Sequence, residues 1–588
     1  MHAGTLAHPP PGVVSVAPHG PGPRMERTRW RPTAPRACTA AILLLFAAAF
    51  STGLDVPFER DEGEYAHAAE VLASGGVPYR DAFLQKPPGI VLVHAAVQSI
   101  VGPSDAATHA ATLVSYLATL ALLASVARRL GGAAAGPLAA LLAALAFLSP
   151  LFEPWPANTE AFLVLPATVS YLLLVRGWDS GRGVSGSGSG ARASVAVAAA
   201  SGLAIGVASL FKQTALAHLP HLLAGWALLG HDRRERLLLA AAFLAASAAP
   251  WLASLVAWAS WGALGAFLDG VLLHNLRYVG FNPEGRFGEM LARRVAAASL
   301  FDRLLWAAGV IGALALVARG RRRAAFVAGG WLATAIVAVS AGGYFRGHYL
   351  LQAVPPLALC AALASSELPA IARVPALAAL VAAWVAAWPV PLGVDAAARS
   401  FARYGGMRFA NGPSIGRILA RDAADRGLST LFVLGSEPQL HHYSGLRSVT
   451  PWVILSPLTG GYADSRARQE AAWRDVEAAR PDYVVVSVPA AVPTFRHSDF
   501  FLWERVVDLV RRDYEPLGKT SALHRGVMRP GPDVPADFVP DLWIFRRRDA
   551  GRASSEAAPA SAEPSALDWP PTRPSPEELL EGNPPPAS

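Results

Sequence analysis

The chain has 588 residues, of which 53% are hydrophobic and only 16% are charged, whereas soluble domains average about 25% charged residues. This composition excludes an ordinary soluble protein. The formal net charge of +8 is spread over many segments, which is not the pattern of a nucleic-acid-binding patch. Cys38 and Cys360 both lie in apolar runs, so the sequence offers neither a disulfide framework nor a cysteine-based metal site.

Residues 1–36 precede the first apolar run and are predicted to form a disordered, basic cytoplasmic segment. Residues 1–24 are rich in Pro, Gly and His, a composition typical of disorder. MERTRWRP from Met25 resembles a natural start, so Met1 and Met25 are both candidate initiating residues. No A-x-A cleavage motif follows the first apolar run, which favours an uncleaved first span over a signal peptide.

Residues 37–392 contain repeated apolar runs of about the length that crosses a bilayer. Ala, Leu and Val dominate these runs, which predicts a polytopic domain of α-helices rather than barrel strands. About eleven spans are predicted from the ~20 residues that a bilayer requires. They lie at roughly 37–54, 107–127, 133–149, 159–175, 194–211, 214–230, 237–258, 300–318, 324–341, 349–366 and 374–392.

The connections between the spans alternate in charge. Arginines concentrate in every second connection, so the positive-inside rule places the N-terminus inside and the other connections outside. The outside connections are 55–86, Glu153 to Glu160, 259–299 and Gly342 to His348. Two apolar outside segments, Ile90 to Val101 and Leu264 to Tyr278, are predicted to lie in the membrane interface.

The composition changes after Leu392. Residues 400–547 mix polar and apolar side chains, and predict a small extracytoplasmic α/β domain. Strand-like runs occur at Thr430 to Leu434, Tyr483 to Val488 and Leu542 to Phe545, and a helical pattern covers Phe501 to Tyr514. Residues 548–588 are rich in Pro, Ala, Ser and Glu and are predicted to be a disordered tail.

The first outer loop, 55–106, concentrates carboxylates in a chain that is otherwise basic. Asp61 and Glu62 at a membrane surface could act as a general base or hold a divalent cation. The alternative is an amphipathic helix over 61–74 with a solvated acidic face, and charge runs are usually of that kind. Composition alone favours the solvated face.

Lys86 stands before two prolines, which keep it out of a regular helix. A lysine held there suits a phosphate group, and a snorkelling lysine at the membrane edge is an equal alternative. Lys212 lies between two apolar runs, where its charge must face protein, water or headgroups.

Asn158, Thr159 and Glu160 open the fourth predicted span. Helix capping and the helix dipole explain this triplet, and a second carboxylate facing Asp61 is the sharper alternative.

Arg346, His348 and Tyr349 cluster at an outer membrane edge. They suit an anionic headgroup, or serve as ordinary interfacial anchors. His441 and His442 lack a third ligand, so they predict surface residues rather than a metal site.

The pattern DE-x-x-Y-A…G…PYRD…KPPG over Asp61 to Gly89 resembles the polytopic glycosyltransferases with the GT-C fold that use lipid-phosphate sugars. These include the protein O-mannosyltransferases, the aminoarabinose transferases and the rhizobial lipopolysaccharide transferases. The resemblance covers roughly 37–392 and implies a GT-C transmembrane catalytic domain. It also implies a sugar donor on a polyprenyl phosphate and an acceptor that reaches an outer cavity.

The resemblance implies a role for each candidate residue. Asp61, with Glu62 beside it, is the expected base or acceptor-orienting group, and inversion at the sugar carbon is expected. The donor phosphate is expected to contact Lys86, Arg346, His348, Tyr349 and Lys212. The acceptor side, or a second carboxylate, is expected at Asn158, Glu160, Tyr65 and Asp81.

Two features depart from the aminoarabinose branch of that family. Gln85 stands where that branch has a glutamate, and Asn158 and Glu160 stand where it has an aspartate. A divalent metal therefore stays possible but unassigned. The 259–299 loop is too short for the inserted domain of the protein mannosyltransferases.

The sequence predicts an inverting hexosyl or pentosyl transferase in the cytoplasmic membrane. Its expected acceptor is an envelope lipid, glycan or protein, and its active site is expected on the extracytoplasmic side. The alternative is a transporter or flippase for a lipid-linked or anionic substrate, but transporters place their polar residues near the bilayer midplane. Sugar, acceptor and oligomeric state are not encoded in these patterns.

Overall fold

A computed structural model describes residues 33–181, 188–280, 285–388, 394–487, 500–550 and 565–570. Most of the predicted N-terminal segment and of the predicted tail lies outside these residues. The described chain forms a helical part up to residue 388, and an α/β part after it, which we call the C-terminal α/β unit (residues 408–550).

The helical part consists of α-helices joined by short 3₁₀ and π segments. Its helices are α1 (Thr33–Ser51), α2 (Arg60–Ala73), α3 (Gly89–Val101), α4 (Asp105–Gly131), α5 (Ala135–Phe147), α6 (Thr159–Gly181), α7 (Gly188–Ser209), α8 (Leu219–Ala227), α9 (Arg233–Ser260), α10 (Leu264–Leu268), α11 (His274–Gly280), α12 (Phe287–Ala297), α13 (Leu300–Ala318), α14 (Arg322–Ala324), α15 (Gly330–Ser340), α16 (Val354–Ser365) and α17 (Ala370–Ala387). The 3₁₀ turns are Pro150–Phe152, Gln213–His218 and Gly347–Ala353, and the π segments are Asp269–Leu273 and Ala325–Gly329.

Eight helical segments in the described chain are long and apolar enough to cross a membrane. Ala135–Phe147 and Ser194–Ser209 are shorter apolar helices at two further predicted spans. The predicted span 214–230 is wrong as one continuous helix, because a 3₁₀ turn, Gln213–His218, precedes the short helix α8. Polar side chains in this turn bond to neighbouring elements; Thr214, for example, donates to Gln352 at 2.9 Å.

Small residues let several helices approach closely. A Cβ at Gly206 of α7 would lie 2.4 Å from the Ser247 carbonyl oxygen of α9, and a Cβ at Gly312 of α13 would lie 2.5 Å from that of Cys360 in α16. Glycine removes this clash, and close packing of this kind stabilises helices in lipid, where hydrophobic burial between helices contributes little.

The arginines predicted to lie on one side of the membrane meet at one end of the helical part. Asp179 in the last turn of α6 pairs with Arg129 of α4 and with Arg323 of α14, each at 2.7 Å. Glu367 pairs with Arg319 and Arg321 at the same end of the chain's helices. We call this end the arginine face. The opposite end, which carries the loop with Asp61 and Lys86, is called the site face.

The C-terminal α/β unit contains a five-stranded sheet of order β2-β1-β3-β5-β4. The strands are β1 (Thr430–Leu434), β2 (Arg447–Ser448), β3 (Tyr483–Ser487), β4 (Tyr514–Ser521) and β5 (Pro540–Arg547). β1 pairs in parallel with β2 and β3, whereas β5 is antiparallel to β3 and β4. The helices are α18 (Ala396–Tyr404), which leads into the unit, then α19 (Arg408–Arg426), α20 (Gln439–Ser444), α21 (Ser456–Thr459), α22 (Ser465–Ala479) and α23 (Phe501–Asp513).

The sheet has a hydrophobic core on each face, as alternation along a strand requires. Phe432 and Leu434 of β1 face one core with α22 and α23, while Leu431 and Val433 face the other with α19 and α20. The three predicted strands and the predicted helix are present within a residue or two, and β2 and β4 were not predicted. β4 carries Pro516 and Gly518, which hide a strand pattern.

Part of the predicted disordered tail packs on this sheet. Asp568 accepts a hydrogen bond at 2.7 Å from Lys519, whose side chain is fully buried, and Trp569 stacks on Phe545. For residues 565–570 the prediction of disorder is therefore wrong, because a buried ion pair and an aromatic contact hold them. The rest of the tail beyond Ala550 lies outside the described residues.

The C-terminal α/β unit docks on the site face through α20. His442 bonds to Glu70 of α2 at 2.8 Å and to Asp105 of α4 at 3.3 Å. Tyr443 donates to Asp105 and accepts from the Phe58 N–H, both at 2.7 Å. The expectation of surface histidines is therefore wrong for both residues, because His441 is buried and His442 bridges two carboxylates at this contact.

We predict that docking weakens as pH rises. Burial alone would lower the pKa of His442, but hydrogen bonds and charges from Asp105 and Glu70 outweigh it and raise the pKa to about 9. Because folding raises the pKa of His442, the stabilisation is fully present below its unfolded-state pKa near 6.5. It is lost as the pH rises through the folded-state pKa of about 9. The loss is on the order of 3 kcal/mol, measurable as a lower melting temperature in lipid nanodiscs.

His442→Gln should remove most of this pH dependence between pH 6.5 and 9. His524→Gln is the control, since His524 pairs with Asp537 inside the α/β unit. An unchanged pH dependence in His442→Gln would contradict the assignment of this histidine as the docking cation.

Candidate active site on the site face

Helix α2 begins with a capping box that fixes its first turn. Glu59 is the N-cap, and its side chain and that of Glu62 bond to each other's backbone N–H groups. Asp61 in this turn has a side chain 26% exposed. Glu62 is buried and accepts from the Ala157 N–H at 2.7 Å, and it also bonds to His109 at 2.8 Å. The Asp61 side chain is therefore partly exposed, whereas Glu62 holds α2 against α4 and against the segment that precedes α6.

The KPPG motif, Lys86 to Gly89, lies against the end of α7. The Gly89 N–H donates to the Leu210 carbonyl at 2.8 Å, and a Cβ at Gly89 would lie 2.7 Å from that oxygen. Asn275 donates to the Gln85 carbonyl at 2.7 Å. The glycine therefore permits a close backbone contact that brings Lys86 next to the segment containing Lys212.

The N-terminal turn of α6 contributes a buried ion pair. Glu160 is fully buried; it accepts from Thr159 at 2.7 Å and forms an ion pair with Lys212. The Lys212 ammonium lies 3.1 Å from the centre of the Tyr349 ring, and the Lys86 ammonium lies 5.9 Å from the same ring. A cation over an aromatic face is attracted by the quadrupole of the ring. The Tyr349 ring therefore attracts the ammonium groups of both lysines.

His348 lies between two carboxylates. Its Nδ1 is 2.7 Å from Glu153, and its Nε2 is 3.9 Å from Asp61. Arg346 precedes the 3₁₀ turn that carries His348 and Tyr349, and its charge acts on Tyr349. The predicted cluster of residues 346–349 is therefore brought to Asp61 by the fold.

Backbone strain concentrates at this site. Among the described residues, the non-glycine residues with positive φ are Tyr79, Glu153, Phe345 and Arg480. Tyr79 donates to the Lys86 carbonyl at 2.9 Å, Glu153 bonds to His348, and Phe345 comes just before Arg346. Such conformations cost of order 1–3 kcal/mol each and cluster at functional sites.

Glu64 is a residue that the predictions did not include. Its carboxylate is buried without a hydrogen-bond partner among the described residues. Burial, reinforced by Asp61 and opposed by Lys86, raises the pKa of Glu64 to about 8. It lies three residues after Asp61 on the same helix face, and this spacing could have indicated it. With this raised pKa, Glu64 is mostly neutral at pH 7.

Two further residues come from α18, the helix that links the two parts of the chain. Arg403 pairs with Glu153 at 2.7 Å. The Tyr404 hydroxyl is buried without a hydrogen bond in the described chain; burial, reinforced by Glu59, Glu62 and Asp61, raises the pKa of Tyr404 well above its usual value. Nothing in the local sequence indicates either residue, because only the chain's return to the site face brings α18 there.

The other predicted residues take different positions. Tyr65 is buried, and burial, followed by the charge of Asp61, raises the pKa of Tyr65 well above its usual value. Asn158 is buried, and its side-chain oxygen has no partner among the described residues. Asp81 pairs with adjacent Arg80 at 2.8 Å and accepts from the Val77 N–H. The geometry therefore gives Asp81 a turn-stabilising contact instead of a place beside Asp61.

The described residues contain no group of three or more His, Cys, Asp or Glu side chains arranged to hold a metal ion. Of the site carboxylates, Glu62 is bonded to His109 and Glu160 is bonded to Lys212.

Comparison with known proteins adds one family match. A family model described as dolichyl-phosphate-mannose-protein mannosyltransferase matches residues 85–261. The match covers less than half of the chain and includes Lys86, Glu160 and Lys212. No curated protein matches the sequence.

Solved structures show the fold. ArnT from Cupriavidus metallidurans in the apo state superposes with a TM-score of 0.54 at 17% identity, covering 87% of this chain and 98% of that one. The same protein bound to undecaprenyl phosphate gives 0.53 at 17% identity, with 79% and 95% covered. The chain is thus a multi-span membrane protein with the predicted GT-C fold. The family match agrees with the predicted class, a membrane glycosyltransferase, and the structural likeness agrees with the predicted fold.

We predict that the contributions of Glu160 and Lys212 to the stability of the fold are coupled. Glu160→Gln leaves a buried ammonium without its counter-charge, and breaking a buried pair in this way costs about 3–5 kcal/mol. The double variant Glu160→Gln/Lys212→Met should recover most of the lost thermal stability. Asp179→Asn, at the half-exposed pair on the arginine face, should change stability by no more than about 1 kcal/mol. Strictly additive losses in the double variant would contradict the pairing.

Proposed function

We propose that this protein transfers a sugar from a polyprenyl-phosphate-linked donor to an envelope acceptor, at the site face of the membrane. One observation carries the proposal. Asp61, a partly exposed carboxylate, lies beside a set of cationic and ring groups that suits the phosphate of such a donor: Lys86, Lys212, His348 and Tyr349.

The charge balance supports a phosphate next to Lys86. Lys212 is neutralised by Glu160, whereas the Lys86 ammonium has no hydrogen bond or ion pair among the described residues, although its side chain is buried. A buried ammonium without an ion pair needs a counter-anion. A phosphate between Lys86 and the 346–349 segment meets this need and stabilises the charge that develops on the leaving group.

Asp61 is the proposed base. An acceptor oxygen attacks the sugar's anomeric carbon, its proton passes to Asp61, and the carbon–oxygen bond to the phosphate breaks with its electron pair on the phosphate. Glu62 and Glu160 are each held in ion pairs, so neither is available as a covalent nucleophile. This supports a single displacement with inversion.

The remaining predicted residues have supporting roles in this proposal. Arg346 and Tyr349 contact the donor phosphate, while Tyr65 and Asn158 line the acceptor side. Glu62 positions Asp61 by holding the first turn of α2 against Ala157. Asp81 keeps the loop before Lys86 in shape through the Val77 turn.

The ArnT structure that holds undecaprenyl phosphate supports a donor lipid of the same chemical kind. The arginine face supports a cytoplasmic orientation for that end by the positive-inside rule, and this supports a proposed site on the extracytoplasmic side of the cytoplasmic membrane. A hexose or pentose donor and a lipid, glycan or protein acceptor all fit this chemistry.

The test measures release of polyprenyl phosphate by the full-length protein in proteoliposomes, with a panel of polyprenyl-phosphate sugars. Asp61→Asn should lower kcat by about 10²–10⁴-fold because it removes the proton acceptor. Lys86→Met should raise the KM for the donor, and Lys86→Arg should retain part of the affinity.

Asp179→Asn on the arginine face is the control and should keep normal turnover. Normal turnover by Asp61→Asn would contradict the proposed base. Movement of intact donor across the bilayer without release of polyprenyl phosphate would instead support the alternative, a transporter or flippase.

A further inference from the structure

We infer that Glu153 and Arg403 form a positioning chain that holds His348 toward Asp61, so that the site is completed only when α18 is in place. The inference rests on the proposed function for its catalytic consequence. Neither residue carries a signal in the local sequence, and both act through His348 rather than on the substrate.

The chain of contacts is continuous. Arg403 pairs with one oxygen of Glu153 at 2.7 Å, and the other oxygen lies 2.7 Å from Nδ1 of His348. The opposite ring nitrogen, Nε2, lies 3.9 Å from Asp61. Arg403 also donates to the Pro150 carbonyl at 3.1 Å, so it holds both ends of the turn that presents Glu153.

The backbone is shaped for this contact. Glu153 ends the 3₁₀ turn Pro150–Phe152 with φ of 58°, a left-handed conformation that is unfavourable for a residue with a side chain. A Cβ at Gly347 would lie 2.6 Å from a Glu153 carboxylate oxygen and 2.4 Å from the Leu151 carbonyl oxygen. Only glycine at 347 lets the two segments come this close.

The contact decides which nitrogen of His348 faces Asp61. An ionised Glu153 accepts a hydrogen bond, so Nδ1 must carry a proton and donate it. The neutral ring then has its lone pair on Nε2, directed to Asp61 and the proposed phosphate, and a protonated ring directs an N–H there. Without Glu153 the ring can rotate or change tautomer. The other charged groups that act on His348 are Glu160, Lys212 and Lys86.

Arg403 extends this dependence to the C-terminal α/β unit. It occupies the last turn of α18, one residue before the helix ends at Tyr404. The α/β unit follows directly and docks through His442 and Tyr443. Displacement of α18 would remove the partner of Glu153, so docking and the orientation of His348 are coupled.

The first experiment reads the tautomer directly. Solid-state NMR of isotope-labelled histidine in the full-length protein in lipid bilayers should show neutral His348 with its proton on Nδ1; His348→Gln identifies the signal by its loss. Glu153→Gln should move the proton toward Nε2, and Asp179→Asn should not. This measurement needs no substrate, so its outcome does not depend on the proposed glycosyl transfer.

The second experiment reads the consequence for turnover, with a donor that the wild-type protein uses. Glu153→Gln should lower kcat about 10–100-fold, the usual cost of losing a partner that orients a reactive group, with the donor KM changed less than about threefold. Glu153→Asp and Arg403→Lys should each restore part of kcat relative to Glu153→Gln and Arg403→Met. In a His348→Gln background, Glu153→Gln should cause no further loss.

Either of two results would overturn the inference. One is a wild-type neutral His348 protonated on Nε2, or a tautomer unchanged by Glu153→Gln. The other is an equal loss of kcat from Glu153→Gln with and without His348, which would indicate a structural effect. A wild-type protein that turns over no donor, but shows the expected tautomer change, would refute the proposed function and leave the positioning chain intact.

Discussion

The structure depends on a buried ion pair between Glu160 and Lys212. Two charges inside a helical bundle are costly unless they are paired, because the surrounding apolar groups cannot replace their water. The pair fixes the start of α6 against the segment after α7. It also presents the Lys212 ammonium to the Tyr349 ring. The position of the 346–349 segment, and with it the proposed phosphate site, follows from this pairing.

The C-terminal α/β unit and the helix α18 that leads into it are part of the site face, because three contacts join them to the helical part. His442 bridges two carboxylates, Arg60 donates to the Ser436 carbonyl at 3.0 Å, and Arg403 of α18 pairs with Glu153. These contacts end on α2, which carries Asp61, on the start of α4, and on Glu153, which bonds to His348. The arrangement explains why a chain that could place its chemistry entirely in the membrane part keeps a domain docked over it.

Individual residues show where the sequence was informative. Asp61 and Lys86 could be proposed from the sequence because the charge pattern and the KPPG motif are local. Glu62 was grouped with Asp61 although it is buried against His109, since the sequence does not reveal which of two adjacent carboxylates faces outward. The span 214–230 looked continuous because hydropathy does not register a 3₁₀ turn stabilised by distant partners. Glu153 was missed because its partners, His348 and Arg403, are remote in the chain.

The sequence by itself determined the membrane class, the alternation of basic and acidic connections, most of the spans and the loop that carries Asp61 and Lys86. These depend on composition and on short-range spacing, which an unfolded chain already contains. The tertiary structure alone decided which charges are neutralised and which stay available: Glu160 with Lys212, Glu62 with His109, and His348 between Glu153 and Asp61. The physical reason is that burial and pairing are properties of neighbours in space, and those neighbours come from segments far apart in the chain.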